Sequence, residues 1–161
     1  MSAEVTHPAV SELEHIRRVW HGMQGNSPIY DFLLSDQDFS IESASKGNFR
    51  ARLTLSANHV NSRKTIHGGV TATLVDFAGG LAIATHGMEK TGASVDIHVT
   101  YIGTAGIGDI VEIEGIANKV GRSMAFTTVK ITKIVEGKPG GLVASASHTK
   151  FLIQPRVGQS Q

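Results

Sequence analysis

One carboxylate, Asp76, stands in an otherwise apolar stretch, IHGGVTATLVD (66–76), which reads as a buried helix opened by Gly68 and Gly69. Burying an unpaired acid is costly because its ionised form loses hydration. A folded chain keeps such an acid mainly where it is paired or used. Backbone N–H groups at the start of the same helix favour negative charge. A base and an oxyanion site thus occur in one short segment. Asp76 reads as a general base or nucleophile in a cleft, or as an acid bound to a neighbouring hydroxyl or backbone group. The glycine pair lets a ligand carbonyl approach bare N–H donors, or simply makes a tight turn. His67 lines that site or bonds its own loop. Asn61 brings an amide to the preceding loop, and Ser94 and Asp96 share a segment with His98, Thr100 and Tyr101.

Other chemistries are poorly served. The chain has eight histidines and no cysteine. No His-x-x-x-His pair or His/carboxylate cluster shows ligand spacing, so no metal site is expected. Cysteine's absence removes disulfides and thiol nucleophiles and fits a reducing compartment. Gly-x-Gly-x-x-Gly, Walker and Gly-x-Ser-x-Gly patterns are missing, which disfavours dinucleotide, nucleotide and serine-hydrolase chemistry.

These residues need elements to position them. Apolar residues recur at helical spacing from Ala9 to Gln24, through Val10, Leu13, Ile16, Val19, Trp20 and Met23, with Ser11 or Thr6 as cap. Ser27 and Pro28 open a short second helix, with Ser27 as its capping residue. Strands are predicted at 39–45 and 49–57, joined by a turn at 46–48. The apolar helix runs from Gly68 to near His86-Gly87, with Val70, Leu74, Phe77 and Leu81 as its buried face and Gly79-Gly80 suited to close packing. Strands follow at 94–101, 109–119, 123–134 and 142–153, the last two forming a hairpin around 136–141. Consecutive strands with hairpin links imply an antiparallel sheet of about six strands. One long helix against it makes an α+β fold. The expected division is a tail and packing helices over 1–35, a domain over 36–155 and a tail over 156–161.

With 161 residues the chain suits one sizeable core, and its 40% apolar and 18% charged content is that of a globular domain. Fifteen basic and 14 acidic residues leave a net charge of +1. No basic stripe invites nucleic acid, and no charge-free apolar run reaches the roughly 18–20 residues of a membrane span. Residues 1–8 lack the regions of a signal peptide, and the last three are not a peroxisomal address. The cytoplasm is the expected compartment, with mitochondrial association as the alternative.

Several motifs occur in order: Asn61 ahead of His67-Gly68-Gly69, TATLVD (71–76), Ser94-Val95-Asp96, Thr100-Tyr101, Gly108-Asp109, Ala125-Phe126-Thr127 and His148-Thr149-Lys150. Over about Phe49 to Leu152 the chain resembles the hotdog-fold acyl-CoA thioesterases. The resemblance is strongest to the branch holding phenylacetyl-CoA thioesterases and thioesterase superfamily member 2. It implies a sheet wrapped around the central helix and a homodimer or tetramer whose protomers pair edge to edge, with sites at the protomer interface. It assigns Asn61 and the Gly68 N–H to the thioester oxygen. Asp76 and Ser94 of the partner protomer would hold and activate water, His67 would shape the site, and His148 would lie near the leaving sulfur. CoA contacts are implied for Tyr101, Ile102, Gly103, Thr104, Ala105 and Gly106, for Lys119, Val120, Gly121, Arg122, Ser123 and Met124, and for Lys150. Lys119, Arg122 and Lys150 suit CoA phosphates. CoA is part of substrate and product, so no cofactor is implied. Relatives often carry a proline after the tyrosine-ended strand. Here residues 103–106 read GTAG and are expected to be more flexible.

The expected activity is hydrolysis of a medium- to long-chain fatty acyl-CoA to acid and CoA, with Asp76 activating water or attacking to form an anhydride. The alternatives are an aryl-CoA (phenylacetyl-type) thioesterase, a non-catalytic acyl-CoA-binding protein and a hydratase. Asp76, Asn61 and Ser94 together favour hydrolysis over binding.

Overall fold

A computed structural model describes residues 11–152. Thr6, Ala9, Val10, Ile153 and the tails predicted at 1–8 and 156–161 lie outside them. Helix α1 (Glu12–Gly25) begins with a capping box: the Ser11 hydroxyl accepts from Glu14 N–H, and the Glu14 carboxylate accepts from Ser11 N–H. Its Ile16, Val19 and Trp20 are buried, as the spacing predicts. Helix α2 (Pro28–Leu33) begins with proline. Ser27 occupies the cap position, but its side chain makes no capping bond, because Tyr30 N–H is already taken by the Ser27 carbonyl at 2.9 Å.

Six strands form one antiparallel sheet in the order β1-β2-β4-β5-β6-β3. They are β1 (Phe39–Ser45), β2 (Asn48–Thr54), β3 (Ala93–Tyr101), β4 (Ile110–Val120), β5 (Met124–Val135) and β6 (Lys138–Phe151). The apolar side chains of β2, Phe49, Ala51 and Leu53, all point into the core. This strand stops at Thr54, short of the predicted 57, because Ser56 N–H and the His59 ring close a 3₁₀ turn over Ala57–His59.

The β5–β6 turn is also shorter than predicted. It contains only Glu136 and Gly137, at φ 51° and 76°, the paired left-handed conformation of a tight hairpin. Lys138–Gly141 belong to β6. Pro139 and the two glycines read as breakers. At this end, however, β6 has β5 on one side only, its pairing with β3 ending at Ala144. An absent proline N–H therefore breaks no ladder bond on the open side.

Helix α3 (Gly68–Ala84) packs against β2 to β6 and is buried on nearly every side. Its axis lies unusually close to the sheet where glycines face it. A Cβ on Gly115 of β4 would lie 2.6 Å from the Ala78 carbonyl oxygen, and one on Gly79 would lie 2.6 Å from His148 Nδ1. In β3 the alternation of Val95, Ile97 and Val99 with Asp96, His98 and Thr100 is not matched by alternating burial: this edge strand is exposed along almost its whole length.

The glycines predict opposite outcomes for one substitution. Gly115→Ala must push backbone apart and should destabilise by about 1–3 kcal/mol. Gly22→Ala, on an open face of α1 with nothing within 4 Å, should stabilise by roughly 0.5–1 kcal/mol. Urea unfolding of both variants measures the signs, and an undiminished stability for Gly115→Ala would contradict the close approach.

Candidate active site

Asp76 lies on α3 at the edge of its buried face. Four side chains from three other elements surround its carboxylate. Ser94 Oγ donates to Oδ1 at 2.8 Å, and the Tyr30 hydroxyl donates to Oδ2 at 3.3 Å. His148 Nε2 and Lys150 Nζ stand 3.5 and 3.6 Å from Oδ1. Asp76 still keeps 36% of its side chain exposed, so water can reach it.

Local backbone explains the convergence. A bulge at Val95 leaves Ser94 opposite Lys150 and Ile97 opposite His148, so Ser94 shares the inward face of β6 with both. An ionised carboxylate can only accept. The Ser94 proton therefore goes to Asp76, and Ser94 Oγ accepts from His148 Nε2 at 2.9 Å. This order puts the imidazole proton on Nε2. Nδ1 then points at Gly79. Burial holds His148 below the ordinary histidine range. Lys150 pushes the same way, against Asp76, the Val75 carbonyl and Asp96. Tyr30 is held well above the ordinary phenol range, by burial first and then by the Asp76 charge and the bond to it.

The second group lies at the start of α3. His67 caps the helix, its Nδ1 accepting from Gly69 N–H at 2.9 Å. The Gly68 N–H has no protein acceptor among the described residues. Asn61 folds onto its own loop: Oδ1 accepts from Arg63 N–H, and Nδ2 donates to Thr65 Oγ1 at 3.1 Å. One of its two amide hydrogens remains available. Tyr101 closes the group, its hydroxyl 3.1 Å from the Gly68 carbonyl.

The GTAG segment beside it is tethered by backbone bonds. Gly103 N–H donates to Val143, Ile66 N–H donates to Ala105, and Gly106 N–H reaches Asp109 Oδ2 at 2.7 Å. Ile102 also donates to Val143, and Ala105 is buried.

One chain does not bring the two groups together. Asp76 is eight residues along α3 from Gly68, about 12 Å at the rise of an α-helix. Ser94 and Tyr101 mark opposite ends of β3, roughly 23 Å apart. Of the residues implied as CoA contacts, Tyr101 to Gly106 sit with the Gly68 group. Lys119 to Met124 span the end of β4, the β4–β5 turn and the start of β5, beside the strand ends that carry Ser94 and Lys150. Lys150, expected at CoA phosphates, faces inward from β6 and is buried with its ammonium at Asp76.

Two residues of the site were missed from sequence. Tyr30 is separated from Asp76 by 46 positions, and only the need of a buried tyrosine hydroxyl for a partner hinted at a bond. His59 is buried and ties the loop bearing Asn61 to the Leu33 carbonyl at 2.6 Å. No group of three or more potential metal ligands occurs among the described residues. No helix among them is long and apolar enough to cross a membrane.

Residues 63–140 match the thioesterase superfamily. Human acyl-coenzyme A thioesterase 13 is 35% identical over 113 residues, which cover 70% of this chain and 79% of that protein. The crystal structure of zebrafish thioesterase superfamily member 2 has a TM-score of 0.75 and 36% identity, covering 87% of this chain and 97% of that one. A hypothetical thioesterase from Streptococcus pneumoniae, crystallised with coenzyme A, has a TM-score of 0.64 and 25% identity, covering 73% of this chain and 91% of that one. Sharing both sequence and topology with these proteins over most of its length, the chain belongs to the thioesterase superfamily and is a thioester hydrolase of hotdog fold.

Proposed function

We propose that this chain hydrolyses acyl-CoA thioesters to a carboxylic acid and CoA. The observation that carries the reading is a solvent-accessible carboxylate, held by two hydroxyl donors, on a helix whose first N–H has no acceptor among the described residues. In the proposed reaction Asp76 takes a proton from water as the water oxygen adds to the thioester carbon. The carbonyl oxygen gains negative charge, which the Gly68 N–H and the free Asn61 amide hydrogen stabilise. The carbon–sulfur bond then breaks, and the CoA sulfur recovers the proton, with His148 near it. Substrate and water balance the reaction, so no cofactor is called on. The alternative, attack by Asp76 to form an anhydride, uses the same residues.

The names of the human and pneumococcal relatives support CoA as the thiol. A medium- to long-chain fatty acyl group, and thus a role in lipid metabolism, follow the resemblance to that branch. Lys119 near the end of β4 and Arg122 in the β4–β5 turn suit the CoA phosphates. The cytoplasm is the proposed compartment, in keeping with a chain that has no cysteine.

The separation of the two groups favours a site shared between two copies. β3 is an edge strand whose Val95, Ile97 and Tyr101 are exposed, with Asp96 its one carboxylate and no lysine or proline to protect the edge. Antiparallel pairing of β3 with its counterpart would set the Ser94 end of one copy beside the Tyr101 end of the other. Asp76 and Ser94 of one protomer would then meet Asn61 and Gly68 of its partner. A dimer is the smallest assembly with complete sites, and a tetramer would pair two such dimers.

CoA release from acetyl, hexanoyl, lauroyl, palmitoyl and phenylacetyl thioesters tests the reaction. Lauroyl- and palmitoyl-CoA should be preferred, and Asp76→Ala should lower kcat by about 10²–10⁴ while the protein stays folded. A wild type that binds acyl-CoA but cleaves none of the panel would leave only the binding-protein reading. Mixing tests the shared site. Asn61→Ala and Asp76→Ala should each be nearly inactive. Co-refolded in equal amounts, they should recover about a quarter of wild-type activity, because half the dimers are mixed and each has one whole site. No recovery despite subunit exchange would put the whole site in one chain.

A further inference from the structure

Helix α2 reaches the reacting carboxylate through one atom. Tyr30 is buried, with its ring 5.6 Å from that of Trp20 and 6.3 Å from that of Phe77, the residue after Asp76. Phenylalanine would fill that aromatic cluster as well. The hydroxyl adds a polar atom that must be satisfied in a buried place, and it is satisfied by Asp76 Oδ2. The end of α2 is pinned independently: the Leu33 carbonyl bonds the buried His59 ring at 2.6 Å, and the Leu34 carbonyl accepts from Gln24 Nε2 at 3.2 Å. The phenol is thus delivered from a fixed support.

We propose that Tyr30 is a positioning residue for Asp76: its hydroxyl holds Oδ2 while Ser94 holds Oδ1, and together they fix the plane of the carboxylate that acts on water. The role rests on the thioesterase reading above and extends it to a segment that precedes the matched residues 63–140. One donor on each oxygen stops the carboxylate rotating about its χ2 bond, a broad torsion that packing alone does not fix. A base held this way meets water in one orientation. The ionisable groups facing Asp76 are Tyr30 on α2 and His148 and Lys150 on β6, with Ser94 the neutral donor from β3. Asp96 on β3 acts on His148.

Tyr30→Phe keeps the ring and removes the hydroxyl. Loss of a hydrogen bond to a charged group should lower kcat about tenfold, with KM within about twofold because Tyr30 acts through Asp76 on the chemical step. Removing a donor that favours the charged carboxylate should also move the acid limb of the kcat/KM profile to higher pH. A merely structural role would shift the melting temperature and leave that limb in place. Wild type and Asp76→Ala are assayed alongside. If wild type is active, Asp76→Ala is dead and Tyr30→Phe matches wild type in kcat and pH profile, the positioning role is overturned and the thioesterase reading stands. If wild type cleaves no thioester, both are overturned.

Discussion

Holding one ionised carboxylate at the edge of an apolar helix is the constraint on which the rest of this structure turns. α3 is so deeply embedded that nearly every other side chain on it meets core. An acid there is tolerable only if donors replace the water it gives up. Those donors come from β3, β6 and α2, so satisfying Asp76 constrains three elements at once. It demands the bulge at Val95, the inward register of His148 and Lys150, and the docking of α2 against Trp20 and Phe77. Gly79 belongs to the same arrangement, because a side chain there would occupy the space of the His148 ring.

Much of this was legible in local patterns. The capping box at Ser11, the alternation of β2 and the glycine-opened apolar helix are set by residues within a few positions of each other, where spacing is informative. The Asp76 readings were left open between chemistry and a bond to a nearby hydroxyl. The structure shows that bond, to Ser94 and Tyr30, while the carboxylate stays open to solvent.

What local pattern missed was contact over distance. Lys150 was implied at the CoA phosphates, and its closeness to Asp76 carries no local signal. Its burial is decided by strand register, which aligns it with Ser94. Tyr30 carries no motif. Pro139 and its glycines gave a true local signal that sheet position overruled, since one side of β6 is open there. The same edge effect defeats the alternation of β3: its pattern is real, but burial needs a second surface.

The order of strands has a consequence for synthesis. β3 pairs only with β6, although two strands, β4 and β5, lie between them along the chain. As the polypeptide leaves the ribosome from its N-terminus, α3 and β3 appear well before their neighbours. Ser94 and His148 are 54 positions apart. Until the last strand emerges, β3 has no intrachain partner along either edge, and Asp76 lacks two of its four companions. The nascent chain therefore passes through an interval in which β3 hangs unpaired and Asp76 can be satisfied only by water. Productive folding has to wait for nearly the whole chain.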